Sequence, residues 1–187
     1  MKSSPVKQKI IETASHLFYQ KGYNLTGINE IIKEASIAKA TLYNHFKSKE
    51  DICLAYLHFK DATLQQELKA FTIKTAAGKE RVLALFDFLK FFFFSKDFNG
   101  CWCLNTISEI PKENQKIRKV IQDQKKNLIR FIEKLVEENL SNKSKKEHQQ
   151  IAKQLYLLYE SALSESHLHQ DIWPIESARK LCATIIE

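Results

Sequence analysis

The stretch Thr26–Lys49 reads TGINEIIKEASIAKATLYNHFKSK. Its apolar residues fall into two short groups with a polar break between them. Ile28, Ile31, Ile32 and Ala35 recur at helical spacing and make a buried face about two turns long. Ser36 ends that helix and Ile37 packs at the turn. A further short helix over Ala38–Phe46 places Leu42 and Phe46, four residues apart, toward the interior. Two short helices joined by a turn of about three residues form a helix-turn-helix, whose second helix enters the major groove of DNA.

Working outward, Leu42 and Phe46 face the protein, so Lys39, Ala40, Thr41, Tyr43 and Asn44 occupy the faces left for DNA. Lys39 has the length to reach a guanine edge or a phosphate, and Thr41 suits a thymine methyl or a phosphate. Tyr43 and His45 carry donors for phosphate oxygens. Lys49 sits at the amino end of the next helix, where backbone N–H groups also attract a phosphate. Most such contacts position the duplex and few read its sequence.

The flanks support this reading. Ile10, Ile11, Ala14, Leu17 and Phe18 form one stripe of a helix over residues 6–21, with Pro5 at its start and Gly22 as its stop. Thr26 is expected to cap the second helix, although Asn29 makes an imperfect capping box. Ser48 is expected to cap a fourth helix over Lys49–Phe71, with Glu50 and Asp51 suiting its positive end. Helical patterns continue over Lys79–Phe94, Cys101–Ile110, Glu113–Leu140 and Lys145–Gln170, and Pro174 opens a last helix. The two long helices and the final one could pair with those of a second copy.

Composition agrees. The chain has 187 residues, only 4 Gly and 3 Pro, and 44% hydrophobic residues, which favours long helices over strands and turns. The expected class is all-α, about nine helices, with an N-terminal helix-turn-helix domain over residues 1–52 (motif 27–46) and a helical ligand-binding and dimerisation domain over 53–187. The net charge is +7, but residues 1–52 hold eight lysines against five acids, so the excess is not confined to the DNA domain. The N-terminus lacks a signal-peptide apolar core. Val82–Phe94 is interrupted by Asp87 and Lys90 and is shorter than the ~20 apolar residues that span a bilayer. Cys53, Cys101, Cys103 and Cys182 have no disulfide-framework spacing, which points to a reducing cytoplasm.

Thr26–Lys49 resembles the DNA-binding signature of the TetR family of bacterial transcriptional regulators. The resemblance rests on Thr41, Leu42 and Tyr43, then a variable Asn44, His45 and Phe46, then Lys47-Ser48-Lys49. It implies a homodimer on a palindromic double-stranded DNA operator, acting as a ligand-responsive transcriptional regulator, a repressor that a small molecule releases from DNA. It implies DNA contacts at Thr26, Lys39, Ala40, Thr41, Tyr43, Asn44, His45 and Lys49. Three positions depart from the usual pattern: Ser36 replaces the turn glycine, Ala38 a helix-starting serine, and Ala40 a small glycine-like position.

The C-terminal region carries weaker signals. Gly100-Cys101, with Asn105 four residues after the cysteine, resembles a subgroup in which some members sense electrophiles or oxidants; the alternative is a small buried hydrophobe. Phe86, Phe91, Phe94 and Trp102 suggest an apolar or aromatic effector pocket, against core and dimer packing as the plainer reading. His167 and His169 read as solvated or interface residues. Cys101-x-Cys103 alone is a poor metal site, and no cofactor motif, phosphate loop, HExxH or GxSxG appears. The alternatives to a regulator are a helical scaffold or effector-binding protein without specific DNA binding, and an all-helical enzyme.

Overall fold

The computed structural model describes residues 4–187. Among them lie nine helices: α1 (Pro5–Lys21), α2 (Ile28–Glu34), α3 (Lys39–His45), α4 (Lys49–Thr72), α5 (Lys79–Phe93), α6 (Trp102–Glu109), α7 (Gln115–Asn139), α8 (Lys145–His169) and α9 (Trp173–Ile185). They form two compact units. One runs up to Thr63 and includes Trp102–Asp123; the other is Leu64–Cys101 with Gln124–Glu187. The helices α4 and α7 contribute residues to both.

Local chemistry explains the boundaries. Ser4 accepts the Lys7 N–H at 3.2 Å and caps α1, and Pro5 fills a first-turn position that lacks an N–H partner in any helix. Gly22, at φ 92°, ends α1, and its N–H donates to Phe18 O. At the start of α4 Ser48 Oγ accepts the Asp51 N–H at 3.1 Å, as expected. A full capping box, Ser144 with Glu147, opens α8. The second helix departs from expectation: its N-cap is Gly27, with no side-chain cap. Thr26 instead turns inward, and its hydroxyl donates to Gly22 O at 2.8 Å and Leu17 O at 3.3 Å.

In the first unit, α1, α2 and α3 enclose Ile10, Ala14, Phe18, Ile31 and Leu42, all at most 2% exposed. Burying a side chain such as Leu42 contributes about 1.5–3 kcal/mol, enough to hold a seven-residue helix that would not persist alone. In the second unit Leu85, Phe86, Leu89, Ile132, Leu155, Tyr159 and Cys182 are nearly inaccessible. The Phe86 and Tyr159 rings lie 6.4 Å apart, and Arg179 Nε donates to Asp87 Oδ1 at 2.8 Å, linking α9 to α5.

The α8–α9 pair also leaves apolar surface uncovered. Leu157 and Leu168 on α8 are 65% and 71% exposed, and Trp173 and Leu181 on α9 are 49% and 53% exposed. Leu157, Ser161, Ser164 and Leu168 repeat at the 4-3-4 spacing of a helix-packing seam.

Candidate nucleic-acid interface

The turn between α2 and α3 is built on Ser36, which takes φ 51°. Its N–H donates to Lys33 O at 3.0 Å, and the Ile37 N–H donates to Ile32 O at 3.2 Å. A left-handed serine is strained by roughly 1 kcal/mol or more where glycine is not. Ala38 then takes the N-cap position of α3 in extended conformation, with no side chain to satisfy the first-turn N–H groups.

From this base α3 shows solvent the residues the sequence assigned to DNA. Lys39, Ala40, Tyr43 and Asn44 are exposed, and Thr41 and His45 are half-buried, while Leu42 and Phe46 are buried beneath them. These six residues therefore cover the surface of α3 that its apolar anchors leave open. Thr26 is not among them. It is fully buried, so its side chain supports the turn after α1 and does not join the exposed face.

Lys49 is half-buried. Its Nζ stands 4.4 Å from the Tyr23 ring centroid and donates to Asn24 O at 3.4 Å. Burial lowers its ammonium from the usual range, opposed by nearby negative groups. The side chain is thus stored against the protein, and reaching a phosphate requires it to swing off Tyr23.

Sequence spacing gave no sign of what anchors this surface from behind. Glu109, the last residue of α6, accepts the Asn24 N–H at 2.6 Å on Oε2, and Asn24 Nδ2 donates to Glu109 O at 2.9 Å. Gly22 lies against the same carboxylate, so a Cβ there would collide with it. Glu50 accepts from Asn114 Nδ2 at 2.8 Å and pairs with Lys116 at 3.2 Å. The turn after α1 and the start of α4 are therefore both bonded to the α6–α7 segment.

The expected effector pocket does not assemble as assigned. Phe86 is a fully buried core residue, whereas Phe91 and Phe94 are 68% and 67% exposed. Phe86 turns into the core while Phe91 and Phe94 turn outward, so the three rings do not line one chamber. Trp102 belongs to the other unit, where the Lys60 Nζ lies 5.1 Å from its ring centroid.

Cys101 sits in a more polar setting than its spacing suggested. It is 4% exposed. Lys125 Nζ donates to Cys101 Sγ at 3.2 Å and pairs with Glu160 at 2.6 Å. Burial and the adjacent Cys101 raise the Glu160 carboxyl to about 7 despite Lys125. Cys53 and Cys182 differ: burial pushes both thiols up to about 12. Gly100 takes φ 67°, and its missing side chain leaves room for the His167 ring. His167 is therefore packed against Gly100 and the Phe98 ring, 5.8 Å away, and is not a solvated residue. His169 is exposed, beside Glu165 and Trp173.

No helix among the described residues is long and apolar enough to cross a membrane. The family model of the bacterial regulatory proteins of the tetR family matches residues 10–60, and that of the tetracyclin repressor-like C-terminal domain matches residues 78–182. The HTH-type transcriptional regulator QacR of Staphylococcus aureus is 37% identical over 76 residues, 41% of this chain and 40% of that protein. The match thus spans about two fifths of QacR's length. IcaR of the same species, a negative transcriptional regulator of the biofilm operon icaADBC, is 29% identical over 182 residues, 93% of this chain and 91% of that one. A TetR-family regulator from Streptomyces coelicolor superposes with a TM-score of 0.86 at 23% identity, over 98% of this chain and 89% of that one. The reduced form of E. coli NemR gives 0.84 at 21% identity, over 95% and 94%; at these identities the two structures share the fold. With both family models matched in order along its length, the chain belongs to the TetR family of bacterial regulatory proteins.

Proposed function

We propose that this protein is a ligand-responsive transcriptional repressor, not an enzyme, that binds a palindromic DNA operator as a homodimer in the cytoplasm. The observation that carries the reading is the exposed face of α3, where Lys39, Ala40, Tyr43 and Asn44 stand clear of the buried Leu42 and Phe46. Asn44 and Ala40 read bases; Lys39, Thr41, Tyr43, His45 and Lys49 hold phosphates. The similarity to the transcriptional regulators QacR and IcaR supports regulation of transcription. The exposed seam of Leu157, Leu168, Trp173 and Leu181 supports pairing with a second copy. The functional division remains residues 1–52 for DNA and 53–187 for ligand and dimer.

The test is the salt dependence of duplex binding. Lys39→Gln and Lys49→Gln should each flatten the slope of log K against log salt by about one unit. Lys153→Gln, on an exposed turn of α8, should leave it unchanged. Equal slopes in all three variants would remove α3 and α4 from the interface.

A second reading concerns the signal. Cys101 stands among charged groups, 3.2 Å from the Lys125 Nζ and 3.8 Å from Glu160 Oε2, a polar setting that supports thiol or electrophile sensing. Cys101→Ser should abolish release of DNA by an electrophile such as N-ethylmaleimide; normal release by the variant would end this reading.

A further inference from the structure

A cleft of about 380 Å3 opens between the end of α4, the start of α5 and the second half of α7, in the lower part of the ~300–1,000 Å3 range of small-molecule sites. Its apolar wall is Ile73, Phe131 and Leu135. Ile73 is 62% exposed there, an unusual setting for an isoleucine. The charged groups are Lys69, Arg81, Lys134 and Glu138. Lys134 and Glu138 face each other at 3.7 Å, so the charged groups lining the cleft leave a net excess of two positive charges. Arg81 is fixed in place: its Nε and Nη2 donate to Thr75 O at 3.1 and 2.9 Å. The walls are tied as well. The Gly78 N–H donates to Asn139 Oδ1 at 2.9 Å, and Asn139 Nδ2 donates to Leu135 O at 2.8 Å.

A held guanidinium and a second cation beside an apolar wall match one kind of ligand. We infer that this cleft binds an organic monocarboxylate with an apolar tail. The carboxylate meets the free edge of Arg81 and the Lys69 ammonium, and the tail covers Ile73, Phe131 and Leu135. A cationic ligand would meet two like charges, and a neutral one would bring no counter-charge to them. That this ligand acts as the effector rests on the repressor reading above; that it binds does not.

The experiment is isothermal titration of the full chain, without DNA, with decanoate below its micelle concentration. One saturable site per chain is expected. Decanoate should bind at least tenfold more tightly than decanol, and decyltrimethylammonium should not compete with it. Octanoate should bind more weakly than decanoate by about fourfold per methylene removed. Ile73→Trp, which fills the mouth at an exposed position, and Arg81→Met should each weaken decanoate tenfold or more. Should Arg81→Met not fold, Lys69→Gln at an exposed position should still cost about threefold. Equal affinity for decanol, absence of saturation, or full affinity in Ile73→Trp would overturn the site. Release of bound operator by decanoate is read separately: binding without release overturns the effector role alone, while loss of specific DNA binding in ligand-free protein overturns the repressor reading alone.

Discussion

Asn24 and Glu109, 85 residues apart in sequence, are joined by two hydrogen bonds of 2.6 and 2.9 Å. The bonds tie the turn after α1 to the last residue of α6. Glu109→Ala removes the acceptor for the Asn24 N–H, a charge-assisted bond worth on the order of 1–2 kcal/mol at this partly exposed position. The Asn24 amide should exchange with deuterium faster in the variant, and duplex affinity should fall because the helix frame loses its brace. Unchanged exchange at Asn24 would show that the bond does not persist in solution.

Ser36 and Ala38 are both poor choices for the stability of the turn. Ser36→Gly relieves a left-handed serine, and Ala38→Ser supplies the cap that α3 lacks. Each should raise unfolding free energy by about 0.5–1 kcal/mol, read from the midpoint of urea denaturation. A lower midpoint for Ser36→Gly would mean that the greater freedom of glycine in the unfolded chain outweighs the strain.

Much of this domain was legible in the sequence because its signals are local. Leu42 and Phe46, four apart, set the buried side of α3, and Gly22 and Ser48 marked helix ends by their own backbone chemistry. Thr26 misled because its hydroxyl had two outlets, the N–H groups ahead or the carbonyls behind, and spacing does not choose between them. Glu109, Lys125 and Glu160 were invisible for a different reason. Their partners come from distant parts of the chain, and no periodicity encodes such pairing. The aromatic run failed as a pocket because composition counts rings without their directions: Phe86 points into the core, and Phe91 and Phe94 point to solvent.

The Glu160 carboxyl gives a pH signature. Its folded pKa of about 7 stands above the ordinary 4.5, raised by burial and Cys101. Between those values the folded chain holds a proton that the unfolded chain has released. Stability should therefore fall as pH rises through this window and level off above it. Glu160→Gln should flatten this part of the Tm profile. A wild-type Tm that rises from pH 4.5 to 7 while the variant's stays level would contradict the raised carboxyl.

The uncovered seam on α8 and α9 predicts association. Leu168→Asp, at a 71% exposed position, should leave the monomer folded and weaken self-association at least tenfold, seen as a halved mass by light scattering at low concentration. A wild-type chain that sediments as a monomer throughout the micromolar range would remove the dimer, and a Leu168→Asp chain that stays dimeric would place the interface elsewhere.

The central claim is sequence-specific binding through α3, and selection from a random duplex library tests it most directly. The purified protein at near-physiological salt should enrich a palindrome with two half-sites about one helical turn apart. Asn44→Ala should then alter base preference within each half-site. Binding that enriches no sequence and vanishes as salt rises would contradict the account and leave a helical protein with nonspecific phosphate contacts only.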